Sequence, residues 1–122
     1  MDVLVVLCEG GDHDSMQRYA MTLLLKPEAE ADYRQLHAAV WPEVLQTIRS
    51  CNIRNYSIFL HDDVLFGYLE YVGKDFDRDM QKMADDPKTQ QWWAITKPMQ
   101  ETLESRKPGE WWVRMEEVFH LD

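Results

Sequence analysis

The chain has 122 residues, 45% hydrophobic and 29% charged, a balance that suits one domain with a modest core. With 22 acidic against 13 basic side chains the formal net charge is −9, and such a surface repels phosphate, which argues against nucleic acid and anionic membranes as partners. Cys8 and Cys51 are the two cysteines and show no C-x-x-C spacing, so free thiols in a reducing cytoplasm are expected.

Residues 1–15, MDVLVVLCEGGDHDS, carry an apolar run from Val3 to Cys8 that has no basic residue before it and is too short to span a bilayer. They read as an N-terminal extension or a mis-called start, with Met16 opening the domain. GDHDS sets one histidine among acids, which reads as a solvated loop, so no metal site is expected. Arg18 to Leu25 is a β-compatible run stopped at Lys26-Pro27, a first strand. Good helix formers fill Glu28 to His37, and apolar spacing resumes after Pro42 with Val44, Leu45 and Ile48. Proline is tolerated in a first helical turn, so a bent pair of helices is predicted, the second packing Val44, Leu45 and Ile48 on the sheet.

NIRNYSIFLHDDVLFGYLEY holds two apolar runs around His61-Asp62-Asp63, the pattern of a hairpin. A second interrupted helix follows: Lys74 to Met83, a turn at Asp85-Asp86-Pro87, then Lys88 to Leu103 with Trp92, Ile95 and Met99 at helical spacing. After a polar loop at Pro108-Gly109, Trp111 to Leu121 alternates enough for a last strand. The order β-α-β-β-α-β is the ferredoxin-like α+β arrangement, a four-stranded antiparallel sheet with two interrupted helices on one face. Its other face is apolar and must be covered, which predicts a homodimer of the α+β barrel type. Fold alone leaves chemistry open.

Five pieces now stand in one order: Tyr33-x-x-x-His37-x-x-x-Trp41-Pro42-Glu43, Asn55-Tyr56-Ser57-Ile58, Leu65-Phe66-Gly67, Gln91-Trp92-Trp93 and Glu117-Val118-Phe119. Over roughly residues 16–122 this series resembles the L-rhamnose mutarotase family. The resemblance implies an isomerase that interconverts the α and β anomers of a 6-deoxyhexose, acting as a homodimer. It implies His37 as proton donor and Tyr33, Tyr56, Trp92 and Trp93 as sugar contacts. Some members act on L-fucose, and the chain departs from the family pattern in residues 1–15 and in KPGEWWVRMEEVFH, so the sugar is left between L-rhamnose and L-fucose.

The residues alone are compatible with that chemistry. Mutarotation protonates the ring oxygen, deprotonates the anomeric hydroxyl, turns the open aldehyde and recloses, so it requires proton carriers and no cofactor. Histidine gives and takes protons near neutrality, and Tyr33 lies one turn before His37 on the same helical face. Plainer readings stand beside these: His37 as a surface or core histidine, Tyr56 as a structural strand residue, one of Trp92 and Trp93 as core because they point apart on a helix, and Trp111 and Trp112 as dimer interface. His61, His120 and Glu116-Glu117 read as surface. Two other function classes share the architecture, a cofactor-independent monooxygenase or haem-degrading enzyme and a non-catalytic sugar-binding module.

Overall fold

The computed structural model describes residues 16–122; the extension and GDHDS expectations fall on residues outside that range. Strand β1 spans Gln17–Leu25, α1 Glu30–His37, α2 Pro42–Ser50, β2 Ile53–His61, β3 Val64–Tyr71, α3 Phe76–Ala84, α4 Pro87–Thr96, β4 Gln100–Glu101 and β5 Val113–Met115. The sheet order is β2-β3-β1-β4, with β5 also paired to β1. This is the expected ferredoxin-like topology, with α1–α2 and α3–α4 as the two interrupted helices.

The helix starts follow from local chemistry. Trp41 is extended (φ −57°, ψ 133°) ahead of Pro42 at the first turn of α2, because a proline ring clashes with a helical predecessor. The chain therefore turns between α1 and α2 rather than running on. Asp75 caps α3 by accepting from Arg78 N, and Asp86 caps α4 by accepting from Thr89 N, with Pro87 next to it. The β2–β3 hairpin turns at Asp62 and Asp63, both at positive φ (48° and 65°), the geometry that matches strand twist in a two-residue turn and that aspartate tolerates.

Three expectations are corrected. The last helix does not reach Leu103: α4 ends at Thr96, a short 3-10 turn covers Lys97–Met99, and β4 begins at Gln100, since Pro98 lacks the amide that would continue the helix. The final strand is not continuous from Trp111 to Leu121. Its place on the free edge of β1 is taken by two short pieces, β4 opposite Leu24 and Leu25 and β5 opposite Ala20 to Thr22, with residues 102–112 looping out between them. Leu45 does not pack on the sheet, being 53% exposed, whereas Val44 is buried and Ile48 joins the core.

Alternation along the strands puts Tyr19, Met21, Leu23 and Leu25 of β1 and Leu65, Gly67, Leu69 and Tyr71 of β3 on the helix side. They divide into two clusters. One centres on Leu23, Leu25, Leu65 and Tyr33, with Ile58, Leu60, Met99, Trp111 and Trp112 around it. The other joins Ile53, Leu69 and Tyr71 to Tyr19, Ile48, Phe76 and Met80. Beneath the second, Tyr71 and Asn52 both donate to Asp79 Oδ2. Gly73 passes so close that a Cβ there would lie 2.4 Å from the Tyr71 hydroxyl. Cys51 is a buried free thiol. Among the described residues nothing covers the opposite sheet face, where Phe59 is 58% exposed beside Phe66 at 6.1 Å. No helix among the described residues is long and apolar enough to cross a membrane.

Candidate active site

The bend between α1 and α2 gathers four rings. Tyr33 and His37 stack one turn apart on α1 with centroids 4.1 Å apart, and the edge of the His37 ring meets Trp92 of α4 at 5.5 Å. Trp41, in the bend itself, meets Trp92 at 5.2 Å. Trp92 is buried and forms the wall behind the histidine, while His37 is half-buried.

The histidine's tautomer follows from its partner. His37 Nδ1 lies 2.9 Å from the backbone oxygen of Tyr33, and a carbonyl oxygen only accepts, so Nδ1 carries the hydrogen. Nε2 has no hydrogen-bond partner among the described residues. The ring is flanked by Tyr33 and Trp92.

Tyr56 reaches the same side through an irregularity in β2. The register against β3 shifts between Arg54 and Ser57, and Asn55 sits at φ 49°, so one extra residue is accommodated there as a bulge. Ile53 and Ile58, five apart, thereby face the same side, and Tyr56 joins Ile58 and Leu60 on the helix face. An unbroken strand would send Tyr56 to the open face. Asn55 is held by donating to Glu70 Oε1. Tyr56 is 37% exposed, yet burial pushes its pKa well above the usual phenol range, and the nearby Tyr33 raises it further. Burial also raises the Tyr33 pKa against the opposing effect of a hydrogen bond from Gln100, so both phenols keep their protons at neutral pH.

Trp93 does not join these rings. It lies on another side of α4, where it lines a shallow groove of about 500 Å³ with Ala84, Gln90, Ala94, Lys97 and Pro98. Lys97 Nζ stands 5.0 Å from the Trp93 ring and 5.1 Å from the Trp111 ring. Trp111 and Trp112, read in sequence as interface candidates, turn inward: Trp111 packs on the Tyr33 cluster, and Trp112 lies over Gly67. Two residues not expected as site residues, Gln100 and the motif residue Trp41, complete the surroundings. Gln100 is buried and bonds both Tyr33 and Trp111, and Trp41 braces Trp92. Only the proximity of Trp41 to His37 in the sequence pointed to either.

Comparison with known proteins decides the family. The family model described as L-rhamnose mutarotase matches residues 18–121. The chain belongs to the L-rhamnose mutarotase family, isomerases that interconvert sugar anomers. It is 32% identical over 108 residues to an L-rhamnose mutarotase of Jannaschia sp. strain CCS1, spanning 87% of this chain and 99% of that protein. It is 31% identical over 109 residues to that of Bacillus subtilis strain 168, spanning 88% and 100%. Among solved structures, an L-rhamnose mutarotase from Formosa agariphila superposes with a TM-score of 0.68 at 22% identity, covering 87% of this chain and 99% of the other. Tetracenomycin F2 cyclase from Streptomyces glaucescens superposes with a TM-score of 0.65 at 12% identity, covering 87% and 97%. At those identities the two structures bear on the fold alone, and both agree with it.

Proposed function

We propose that this mutarotase acts on L-rhamnose, with His37 as the proton carrier and Tyr33, Tyr56 and Trp92 as the pocket around the sugar. The observation that carries this reading is the fixed tautomer of His37, whose Nδ1–H is committed to Tyr33 O and whose Nε2 has no partner among the described residues. Protonated His37 gives the Nε2 proton to the ring oxygen as the bond from that oxygen to the anomeric carbon breaks. The anomeric hydroxyl gives its proton to a water molecule as the carbonyl forms. Turning the aldehyde about the next carbon–carbon bond exposes its other face, and reclosure runs the same transfers backwards, with no net change in protons. The neutral phenols of Tyr33 and Tyr56 serve as hydrogen-bond partners that orient the sugar.

Trp92, being buried, backs the histidine and offers little more than an edge to the sugar. Trp93 contributes from the rim, where its ring holds Lys97. L-fucose is the alternative substrate, because it shares the ring and the 6-deoxy carbon and differs in the orientation of hydroxyls. Family membership favours anomer exchange over the monooxygenase and pure binding readings.

The same reading includes a cytoplasmic homodimer. Phe59, Val64 and Met115 are exposed on or beside the open sheet face, and Val118, Phe119 and Leu121 extend past it with 79–91% of their surface free. Contiguous apolar surface of this kind marks a site of association.

The test is polarimetry on freshly dissolved α-L-rhamnose and L-fucose, side by side. Faster relaxation of L-rhamnose is expected. A catalysed rate for L-fucose alone would overturn the choice of sugar, and no acceleration of either sugar by folded protein would overturn the function.

A further inference from the structure

A hydrogen-bond chain whose polarity is fixed by chemistry ends at the Tyr33 hydroxyl. The indole N–H of Trp111 donates to Gln100 Oε1 at 2.8 Å. An indole nitrogen donates and never accepts, so the amide oxygen of Gln100 must face Trp111 and its NH₂ must face the other way. That NH₂ donates to the Tyr33 oxygen at 3.2 Å. An amide nitrogen is no acceptor, so the phenol proton of Tyr33 cannot point back at Gln100. Among the described residues this hydroxyl finds no protein acceptor.

We propose that Gln100, oriented by Trp111, is a positioning residue that fixes the Tyr33 hydroxyl as a hydrogen-bond donor to the sugar. This rests on the mutarotase reading above. The acceptor is a sugar oxygen, either the ring oxygen, which gains electron density as the ring opens, or an adjacent hydroxyl. A donor already aimed at developing charge needs no reorganisation during the reaction. His37 then supplies the proton that moves, and Tyr33 supplies a proton that stays.

The surroundings hold the chain in place. Gln100 and Tyr33 are 8% and 4% exposed, and in such a site an amide that lost its partners would carry an unmet desolvation cost, which resists rotation. Trp111 returns to the site only because residues 102–112 loop out between β4 and β5. Its indole is covered by Lys97, which also covers Trp93. Lys97 thereby sits between Trp93 and Trp111.

The experiment compares Gln100→Glu, Gln100→Leu and Trp111→Phe at pH 8. A glutamate has the same shape but only accepts when ionised, so it keeps the bond from Trp111 and draws the Tyr33 proton toward itself. Gln100→Glu should lower kcat by roughly 10²-fold, the scale for removing one oriented donor, with KM shifted far less. Gln100→Leu leaves the phenol free to turn and should cost roughly tenfold or less, the scale of one neutral hydrogen bond. Trp111→Phe lets the amide flip and should fall between. Independently of sugar, the Cζ carbon of ¹³C-labelled Tyr33 should titrate at higher pH in Gln100→Glu than in the wild type.

Equal losses in Gln100→Glu and Gln100→Leu that track melting temperature, with the Tyr33 titration unmoved, would overturn the proposal in favour of plain packing. If wild-type protein exchanges no anomers but Gln100→Glu still moves the Tyr33 titration, the polarity is supported and the mutarotase reading alone is overturned.

Discussion

Replacing His37 by asparagine separates its anchoring nitrogen from its working one. The asparagine amide can still donate near the Nδ1 position toward Tyr33 O, the bond that measures 2.9 Å in the wild type. Nothing then occupies Nε2. Losing a positioned acid–base group lowers the rate by roughly 10² to 10⁴, or about 2.7 to 5.4 kcal/mol of barrier. The substitution also removes two aromatic contacts, at 4.1 Å to Tyr33 and 5.5 Å to Trp92. Such pairs contribute about 0.5 to 1.5 kcal/mol each, so melting should fall by roughly 5 to 15 °C. Rates are therefore measured well below the variant's melting point, by anomeric-proton exchange, with sugar affinity followed by calorimetry. Affinity within a few-fold of wild type with the rate collapsed is the expected pattern. Exchange within threefold of wild type in folded His37→Asn protein would refute the assignment and leave the histidine as a packing residue.

Further outcomes follow from the packing and the charges. Leu23→Ala, at a fully buried site beneath Tyr33, should cost about 2 to 5 kcal/mol of stability, read from the shift of the urea midpoint. Tyr71 is held protonated by burial and by its bond to Asp79, with its pKa pushed up to about 12. A group with a raised folded pKa contributes stability that is complete below about pH 10 and lost as pH rises through about 12, so urea midpoints should fall across that window, and less steeply in Tyr71→Phe. Gly73→Ala, by pressing on the Tyr71 hydroxyl and Asn52, should lower the melting temperature more than Gly67→Ala, whose nearest neighbour is the flexible Met21 side chain at 3.2 Å. Light scattering should report a dimer at tens of micromolar, and Phe59→Lys should shift it toward monomer.

Legibility in the sequence followed the range over which each signal acts. Pro42, Pro87 and the Asp62-Asp63 pair act on their own backbone, so the helix breaks and the hairpin turn were readable where they stand. Pro98 is equally local, yet the apolar spacing of Trp92, Ile95 and Met99 outweighed it and carried the helix too far. The bulge at Asn55 was not readable, because an asparagine in a strand signals left-handed backbone only weakly, although that one residue decides which face Tyr56 occupies. The split of the last strand was hidden for a related reason: Val113 to Phe119 alternates as a strand would, but β1 offers partners only as far as Ala20 opposite Met115. Tyr33, His37, Tyr56 and the two tryptophans were picked out by the family resemblance, whereas type and spacing alone left each with a plainer reading. Gln100 and Trp111 meet Tyr33 only through the fold, and no local pattern marks a glutamine as the group that orients a phenol.

The most direct measurement is magnetisation transfer between the α and β anomeric protons of L-rhamnose at equilibrium, with and without the protein and in the presence of a chelator. A mutarotase leaves the anomer ratio unchanged and speeds the exchange, and the acceleration should scale with protein concentration and collapse in His37→Asn. Exchange at the spontaneous rate with folded wild-type protein at micromolar concentration, or a changed anomer ratio without faster exchange, would contradict the account.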